Sequence, residues 1–569
     1  MSLKTSSTAA AEPVTASQTD VTAPSPSSGF RKGSAFWLTF IAVLVCTFVS
    51  ALDLTAVSVA LPTITESLHG GGKFVWIGSA YGLSSAAILP LSGRLADAFG
   101  RRPVMLASVS LFLLGSALSG ASQNMNMLIA ARTVQGIGSG GILNLSEIIV
   151  SDLVPLSERG MFMGIISSVW AIASGVGPPI GGVLAQANAW RWIFYLNLPL
   201  TGIAFVLVLA FLRVRTPPGS LRDKLSRLDI LGNVIIIAGT TLALIGLTWG
   251  GVAYAWTSAH TLATLIIGFV LMGGFFVYEW LVPEDPSIPW EVVGNRTTVS
   301  AYIGTFFHGI VSTAVFYYLP VYFQACMGSS PLRSSVQTLP LALIISPFAF
   351  AAGTLVQVVQ KYRWANLLGW ALAVVGFGLF STFDADSSTG KWVGLQIIVA
   401  AALGLLYTAT IFPTLAPLPV ARTASALAFF SFARTFAQTW GVTVGSTVLQ
   451  NRLASTLPAA FTSQFPSGAQ IAYAAIPVIN SLSDPLKTEV RNAFADSLKT
   501  VWFVMVGMSG AGLLSVALMQ ELPMQQETDK TFGLDDGSQT TVLDSEKATA
   551  VVASESATRQ GTPDATTQT

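Results

Sequence analysis

Asp53 lies within the apolar run 36–62, and Arg132 lies within the apolar run 127–150. An ionised side chain at the centre of a membrane helix costs about 2.5–3.5 kcal/mol on insertion scales, so each must face a partner or water. Counting about 1.5 Å per residue along two runs that cross in opposite directions puts both side chains in the outer half of a bilayer. A carboxyl and a guanidinium at matching depth admit two chemistries. They can form a fixed ion pair that only ties helices together. They can instead share an aqueous cavity and act as a titratable unit, in which proton uptake by Asp53 frees Arg132 for another partner.

Other side chains could line such a cavity. Gln135 is one candidate, and Glu147, near the cytoplasmic end of the same run as Arg132, either contacts a substrate or simply reaches water. His308 is in mid-span, either titrating or, as buried histidines more often are, neutral and hydrogen-bonded. Arg434 and Gln438 stand one helical turn apart. Tyr81, Trp170, Phe306, Phe307 and Tyr407 supply aromatic surface, whose ordinary use in membrane helices is packing or anchoring at the interface.

Several chemistries lack their residues. The two cysteines, Cys46 and Cys326, suit neither a disulfide framework nor a thiolate metal site. "GIGSGG" (136–141) satisfies G-x-G-x-x-G, but no strand precedes it and no ribose-binding acid follows; Gly136 and Gly140 are better read as a small-residue seam for close helix approach. No phosphate-binding G-x-x-x-x-G-K-[ST] occurs, and no nucleophile constellation, so neither ATP hydrolysis nor other catalysis is expected. No cofactor, metal or nucleic-acid partner is expected. A net charge of +1 gives no overall basic character.

The elements that position these groups are membrane helices. The chain is 52% hydrophobic and 10% charged with a mean hydropathy of +0.63, against roughly 25% charged residues in soluble domains. A helix needs about 20 apolar residues to cross the hydrocarbon core. That rule places spans near 36–62, 74–93, 104–121, 127–150, 161–185 and 192–212, then 229–249, 260–282, 298–323, 336–356, 365–383, 392–412, 425–450 and 500–520. With both termini cytoplasmic, Arg31, Lys32, Arg94, Arg101, Arg102, Arg159, the cluster Arg213–Arg227, Arg296, Lys361, Arg363 and Arg422 fall inside. Only Lys73, Arg191, Arg333 and Lys391 fall in short external loops. The expected organisation is a disordered tail (1–34), a six-helix bundle (35–212), a basic cytoplasmic loop (213–228) and two inserted helices (229–282). A cytoplasmic loop (283–297), a second six-helix bundle (298–520) with an external loop at 451–499, and a disordered tail (521–569) complete it. The first apolar run is too long for a signal peptide. The sequons at Asn144 and Asn295 fall in a span and a cytoplasmic loop, where no glycan is expected.

Two glycine-containing stretches are informative. In "GRLADAFGRR" (93–102), Gly93 and Gly100 suit a tight loop, and Asp97 can pair with Arg94, Arg101 or a neighbouring helix end; the arginines also enforce topology. A weaker copy, "GTLVQVVQKYRWANLL" from Gly353, has Gln357 where Asp97 stands, so no symmetric latch is expected there. In "SGVGPPIGG" (174–182), Ala171, Gly175, Pro178 and Gly182 share one helical face while Gly177 and Gly181 form a second, so two neighbours can approach closely. Pro178 and Pro179 remove backbone hydrogen bonds and leave a soft point.

These stretches, with "LDLTAVSVALPTI" (52–64), "ARTVQGIGSGG" (131–141) and "WRWIFYLNLP" (190–199), resemble in order and placement the motifs of major facilitator drug:proton antiporters, in the fourteen-span fungal branch. The match is dense in the N-terminal half; in the C-terminal half it is the span pattern and "SIPWEVVGNRT" (287–297). The resemblance implies an all-α major facilitator fold and proton-driven export of small amphipathic compounds, drugs or toxic secondary metabolites. It places Arg132 at the proton-coupling step, for which Asp53 is the partner that depth suggests, makes Gly93, Arg94, Asp97, Gly100, Arg101 and Arg102 a conformational latch, and makes Gly175, Gly177, Pro178, Pro179, Gly181 and Gly182 the antiporter motif. The partners implied are the lipid bilayer, a small-molecule substrate and protons, with a monomer in the plasma membrane or, alternatively, the vacuolar membrane. Rival expectations are a proton-coupled carrier of a polar solute (an amino acid or iron chelate) on the same fold and a non-transporting receptor or scaffold.

Overall fold

The computed structural model describes residues 33–68, 75–214, 229–251, 254–283, 286–463 and 475–524. Expectations placed on 1–32, on Lys73, on 215–228 and on 525–569 lie outside the described residues. Fourteen long helices carry the described chain: α1 (Ser34–Ser67), α2 (Val75–Phe99), α3 (Arg101–Gly120), α4 (Met125–Leu153), α5 (Leu156–Gln186), α6 (Arg191–Phe211) and α7 (Ile230–Trp249) come first. Then follow α8 (Ala259–Leu281), α9 (Arg296–Ala325), α10 (Pro331–Val359), α11 (Arg363–Phe380), α12 (Thr389–Ala409), α13 (Thr423–Thr456) and α14 (Leu486–Ser515). Each expected span falls on one of them. Eleven contain stretches long and apolar enough to cross a membrane; α2, α4 and α13 are the three outside that set. These three meet at the junction described below, where polar side chains replace apolar ones.

Short connections make consecutive helices antiparallel, so α1 begins and α14 ends on one face, here the terminal face; the opposite face is distal. Turn chemistry sets the ends. Gly100, at φ 93°, turns α2 into α3 in a conformation that suits glycine alone. The Asn124 side chain caps α4 by accepting from Met127 N at 2.9 Å. Asp229 and Ser258 cap α7 and α8 in the same way.

Helices α1–α6 pack on one another and α9–α14 on one another, while α7 and α8 pair as a hairpin whose α7 leans on α2 and α13. Only 17% of the apolar window of α8 is buried, so this hairpin lies at the periphery and presents Ile266, Val270, Val277 and Trp280 to lipid. Between the two bundles, α5 runs along α10 and α13 packs on α2 and α4.

Two boundaries differ from expectation. The external connection expected over 451–499 is shortened from both ends: α13 continues to Thr456 and α14 starts at Leu486. The charged residues that make 486–499 read as a loop instead bind the distal loop around 384, through Lys499–Asp384 at 3.4 Å, Arg491–Asp386 at 3.2 Å and Arg491 Nη2 donating to Ala385 O at 2.9 Å. At the other end, residues 521–524, expected in a disordered tail, are tied to the body of the protein, with Met524 buried. Glu521 accepts from Tyr362 N at 2.7 Å and from Arg363 N at 3.2 Å, placing a carboxylate at the start of α11. Burial pushes the Tyr362 hydroxyl up to about 12, so it stays protonated and donates to Gln520 O at 2.7 Å. The corner where Gln357 replaces an acid thus takes its carboxylate from the C-terminal end of the chain.

Candidate functional site

Asp53 and Arg132 meet inside the α1–α6 bundle. Arg132 Nη1 donates to Asp53 Oδ2 at 2.5 Å, and both residues are 0% exposed. The other oxygen of Asp53 accepts from Gln135 Nε2 at 2.9 Å and from Asn197 Nδ2 at 2.7 Å. Arg132 also donates to Gln135 Oε1 at 2.7 Å and to Ile77 O at 3.2 Å, and its guanidinium lies 4.3 Å over the Tyr81 ring. Gln135 Nε2 reaches Ser116 Oγ at 2.8 Å. One network therefore joins α1, α2, α3, α4 and α6. Three donors converge on the two oxygens of Asp53.

Of the two arrangements open to the pair, this is the buried ion pair and not the shared cavity. Both side chains are fully buried because five helices close over the pair. Tyr81 and Gln135, expected to line a substrate cavity, belong to this buried network instead. The Tyr81 hydroxyl turns along the seam and donates to Ser139 Oγ at 2.6 Å, which sits 2.5 Å from Ser50 Oγ. The close seam depends on small residues. A Cβ on Gly136 would lie 2.4 Å from Tyr81 O, and one on Gly140 2.5 Å from Ser85 O, so this face of α4 is pressed on α2.

The bundles touch on the terminal half of the molecule. A Cβ at Gly160 would lie 2.6 Å from Phe412 Cζ and 2.7 Å from Gly353 Cα; Gly164 is similarly placed against Phe350 Cα at 2.6 Å. Ser346 donates to Ser167 O at 3.0 Å. Farther toward the distal face, Gly175 meets only Leu339 Cδ2 at 3.5 Å, an ordinary contact. Gly93 lies within α2 and not in a loop as expected; a Cβ there would be 2.9 Å from Ala428 Cβ of α13. Its absence of a side chain serves close approach of the bundles.

The neighbouring charges anchor the end of α2. Arg101, 1% exposed, donates from Nη1 to Asp97 Oδ1 and Ala96 O, both at 2.8 Å, and from Nε to Asp152 Oδ2 at 2.8 Å. Arg102 donates to Leu209 O of α6 at 2.5 Å, and Arg94 is buried on the turn after Gly93. Asp152, which no spacing in the sequence marks, ties the end of α4 to this corner.

Glu147 and Arg434 join the two bundles directly. Arg434 Nη1 lies 3.3 Å from Glu147 Oε1, and Ser431 donates to Glu147 Oε2 at 2.6 Å. The guanidinium sits 4.5 Å from the Tyr407 ring centre and 4.4 Å from that of Phe430. His308 is 6.3 Å from Tyr407, ring to ring, with Nε2 3.1 Å from Leu403 O, so that nitrogen carries the proton and donates. Phe306 packs on Phe307 and Trp440; Trp170 packs beside Ala173 and Leu52; Gln438 is exposed. The candidate cavity residues thus divide into the Asp53 network, the Glu147–Arg434 junction and flanking aromatics.

In the glycine- and proline-rich segment, α5 runs unbroken through Pro178 and Pro179 to Gln186. The tight face is that of Gly177 and Gly181: a Cβ on the first would lie 2.1 Å from Thr55 Oγ1, and on the second 2.1 Å from Ala56 O. Gly182 is buried, and Gly175 has room, so the close partner of this motif is α1 just after Asp53. Among the described residues no group of three or more His, Cys, Asp or Glu is placed to hold a metal ion. Asn197, Ser116 and Ser139 were missed in the sequence; an asparagine within the apolar stretch "WRWIFYLNLP" was the available signal for the first.

The comparisons with known proteins agree with this architecture. A family model described as Major Facilitator Superfamily matches residues 43–442. "MFS-type efflux pump LUC4" of Fusarium sp is 38% identical over 527 residues, covering 91% of this chain and 93% of that protein. "Efflux pump FUS6" of Gibberella moniliformis is 39% identical over 521 residues, covering 90% and 92%. Among solved structures, the human organic anion transporter MFSD10 aligns with a TM-score of 0.53 at 17% identity, covering 85% of this chain and 99% of that chain. The proton:xylose symporter XylE aligns with a TM-score of 0.54 at 13% identity, covering 86% and 98%. These two likenesses speak for the fold alone.

Proposed function

Because this chain belongs to the major facilitator superfamily, we propose that it exports small amphipathic organic compounds, such as drugs or secondary-metabolite toxins, in exchange for protons. Export as the direction is supported by the names of its fungal relatives, which are called efflux pumps. The observation that carries proton coupling is the Asp53–Arg132 pair, 0% exposed and saturated with donors. Removing one member of a buried pair costs about 3–5 kcal/mol, so an unprotonated Asp53 holds α1 to α4 and α6 firmly. Protonation of Asp53 weakens that hold and frees Arg132, which favours a state with a different arrangement of α1 against its neighbours.

The remaining residues act as positioning elements in this scheme. The contacts at Gly93, Gly160, Gly164 and Ser346 shut the terminal face, and Arg101 with Asp97 and Asp152 fixes the end of α2 in the shut arrangement. Opening that face admits cargo between the bundles; closing it sends cargo to the distal side. Proton and cargo binding each lower the affinity for the other by the same factor, as antiport requires. We place the protein in the plasma membrane as a monomer with the terminal face in the cytoplasm; a vacuolar location keeps the same topology. A deletion strain should accumulate and be sensitised to compounds of this class, and everted membrane vesicles carrying the protein should take them up when the lumen is acidified. Uptake driven the opposite way, or restricted to amino acids or iron chelates, would replace this reading.

A further inference from the structure

Arg434 is held differently from Arg101 and Arg132. Arg101 makes three hydrogen bonds at 2.8 Å, and Arg132 makes its shortest at 2.5 Å and 2.7 Å. Arg434, 8% exposed, makes two long ones, 3.3 Å to Glu147 and 3.4 Å to Tyr407 O, and its Nε is buried with no hydrogen-bond partner. A guanidinium offers five N–H donors, and bonds beyond about 3.2 Å are weak. Two aromatic faces, Tyr407 and Phe430, hold it in place. Its anion, Glu147, makes its shorter bond to Ser431.

Glu147 and Arg434 belong to different bundles, so their contact exists only while the terminal face is shut. When that face opens, the guanidinium keeps its aromatic clamp, loses its carboxylate and faces the space that cargo enters. An anion then fits it better than water alone, and the rings offer a surface for a planar apolar body. Resting on the export reading above, we propose that Arg434 docks a cargo carrying a carboxylate beside a planar apolar group. Glu147 is the built-in competitor that takes the guanidinium back as the face closes and so evicts the cargo toward the distal side.

The test uses 1-pyrenebutyrate and its methyl ester with purified full-length protein, binding being followed by energy transfer from tryptophan to pyrene. The carboxylate should bind the wild type roughly 10-fold or more tightly than the ester, the usual span for a charge-assisted hydrogen bond. R434Q should erase that preference by weakening the carboxylate alone, and R434K should keep part of it. E147Q, which leaves Arg434 in place and stays decisive if R434Q does not fold, should tighten carboxylate binding and slow its export from proteoliposomes. Equal binding of the two probes by the wild type, equal weakening of both by R434Q, or weaker carboxylate binding in E147Q would each overturn the proposal. If the ester is exported and the carboxylate has no advantage in binding, the docking inference fails and export stands. If Arg434-dependent carboxylate binding is seen but neither probe is exported, export fails and docking stands.

Discussion

Replacing Gly181 by alanine tests the α1–α5 seam with a single methyl group. That methyl would sit 2.1 Å from Ala56 O, 2.9 Å from Ala56 C and 3.1 Å from Ala56 Cα. All three atoms are backbone of α1, so no side chain can rotate away and the helices must separate by about 1 Å to restore normal contact. Overpacking of this kind costs about 1–3 kcal/mol, and the intrinsic helix preference of alanine over glycine returns about 1 kcal/mol. Gly175→Ala gains the same preference but meets only Leu339 Cδ2 at 3.5 Å. The two variants therefore should move in opposite directions. Thermal unfolding in detergent, read by tryptophan fluorescence, should show Gly181→Ala melting below the wild type and Gly175→Ala at or above it. Efflux should fall in the first and persist in the second, because α1 carries Asp53 just before the seam. Equal melting of all three proteins, or greater damage from Gly175→Ala, would show that the close approach of α1 and α5 is not what this motif provides.

Asp97→Asn removes one of the three partners of Arg101 and should slow turnover while leaving cargo affinity within about twofold, as measured by parallel binding and flux assays. Glu521→Ala strips the carboxylate from the start of α11 and should lower stability by about 0.5–2 kcal/mol, the range of lost helix caps, which unfolding in detergent would report. A tag in 464–474 should be reached from outside intact cells and a tag at either terminus only after permeabilisation; labelling of an N-terminal tag on intact cells would reverse the assigned orientation.

The number and order of the helices were legible in the sequence because lipid imposes a length and an apolar character on each span. The charged start of α14 was not, since its ion-pair partners around Asp384 are remote in sequence. The types of the key residues were also legible: an acid and a base in apolar runs require an explanation wherever they occur. Their company was not. Helical periodicity puts Gly177 and Gly181 on one face, yet it cannot say that this face meets Thr55 and Ala56 while Gly175 faces a looser contact. Likewise Glu147 and Arg434 each read as solitary charges, because a contact between bundles leaves no trace in local spacing. Tyr81 and Gln135 read as cavity residues for the same reason, although five packed helices seal them in.

Coupling of export to protons through Asp53 is tested most directly by flux in proteoliposomes under an imposed pH gradient, comparing the wild type with Asp53→Asn and Arg132→Ala. The wild type should drive cargo uphill, with protons moving the other way. Asp53→Asn should lose uphill transport and its dependence on the pH gradient while keeping exchange of cargo down its own gradient. Arg132→Ala, which leaves a buried carboxylate that favours its neutral form, should be at least as impaired. Uphill transport by Asp53→Asn with the wild-type dependence on the gradient would contradict the account and move the coupling site elsewhere, with Glu147 and His308 the next groups to replace.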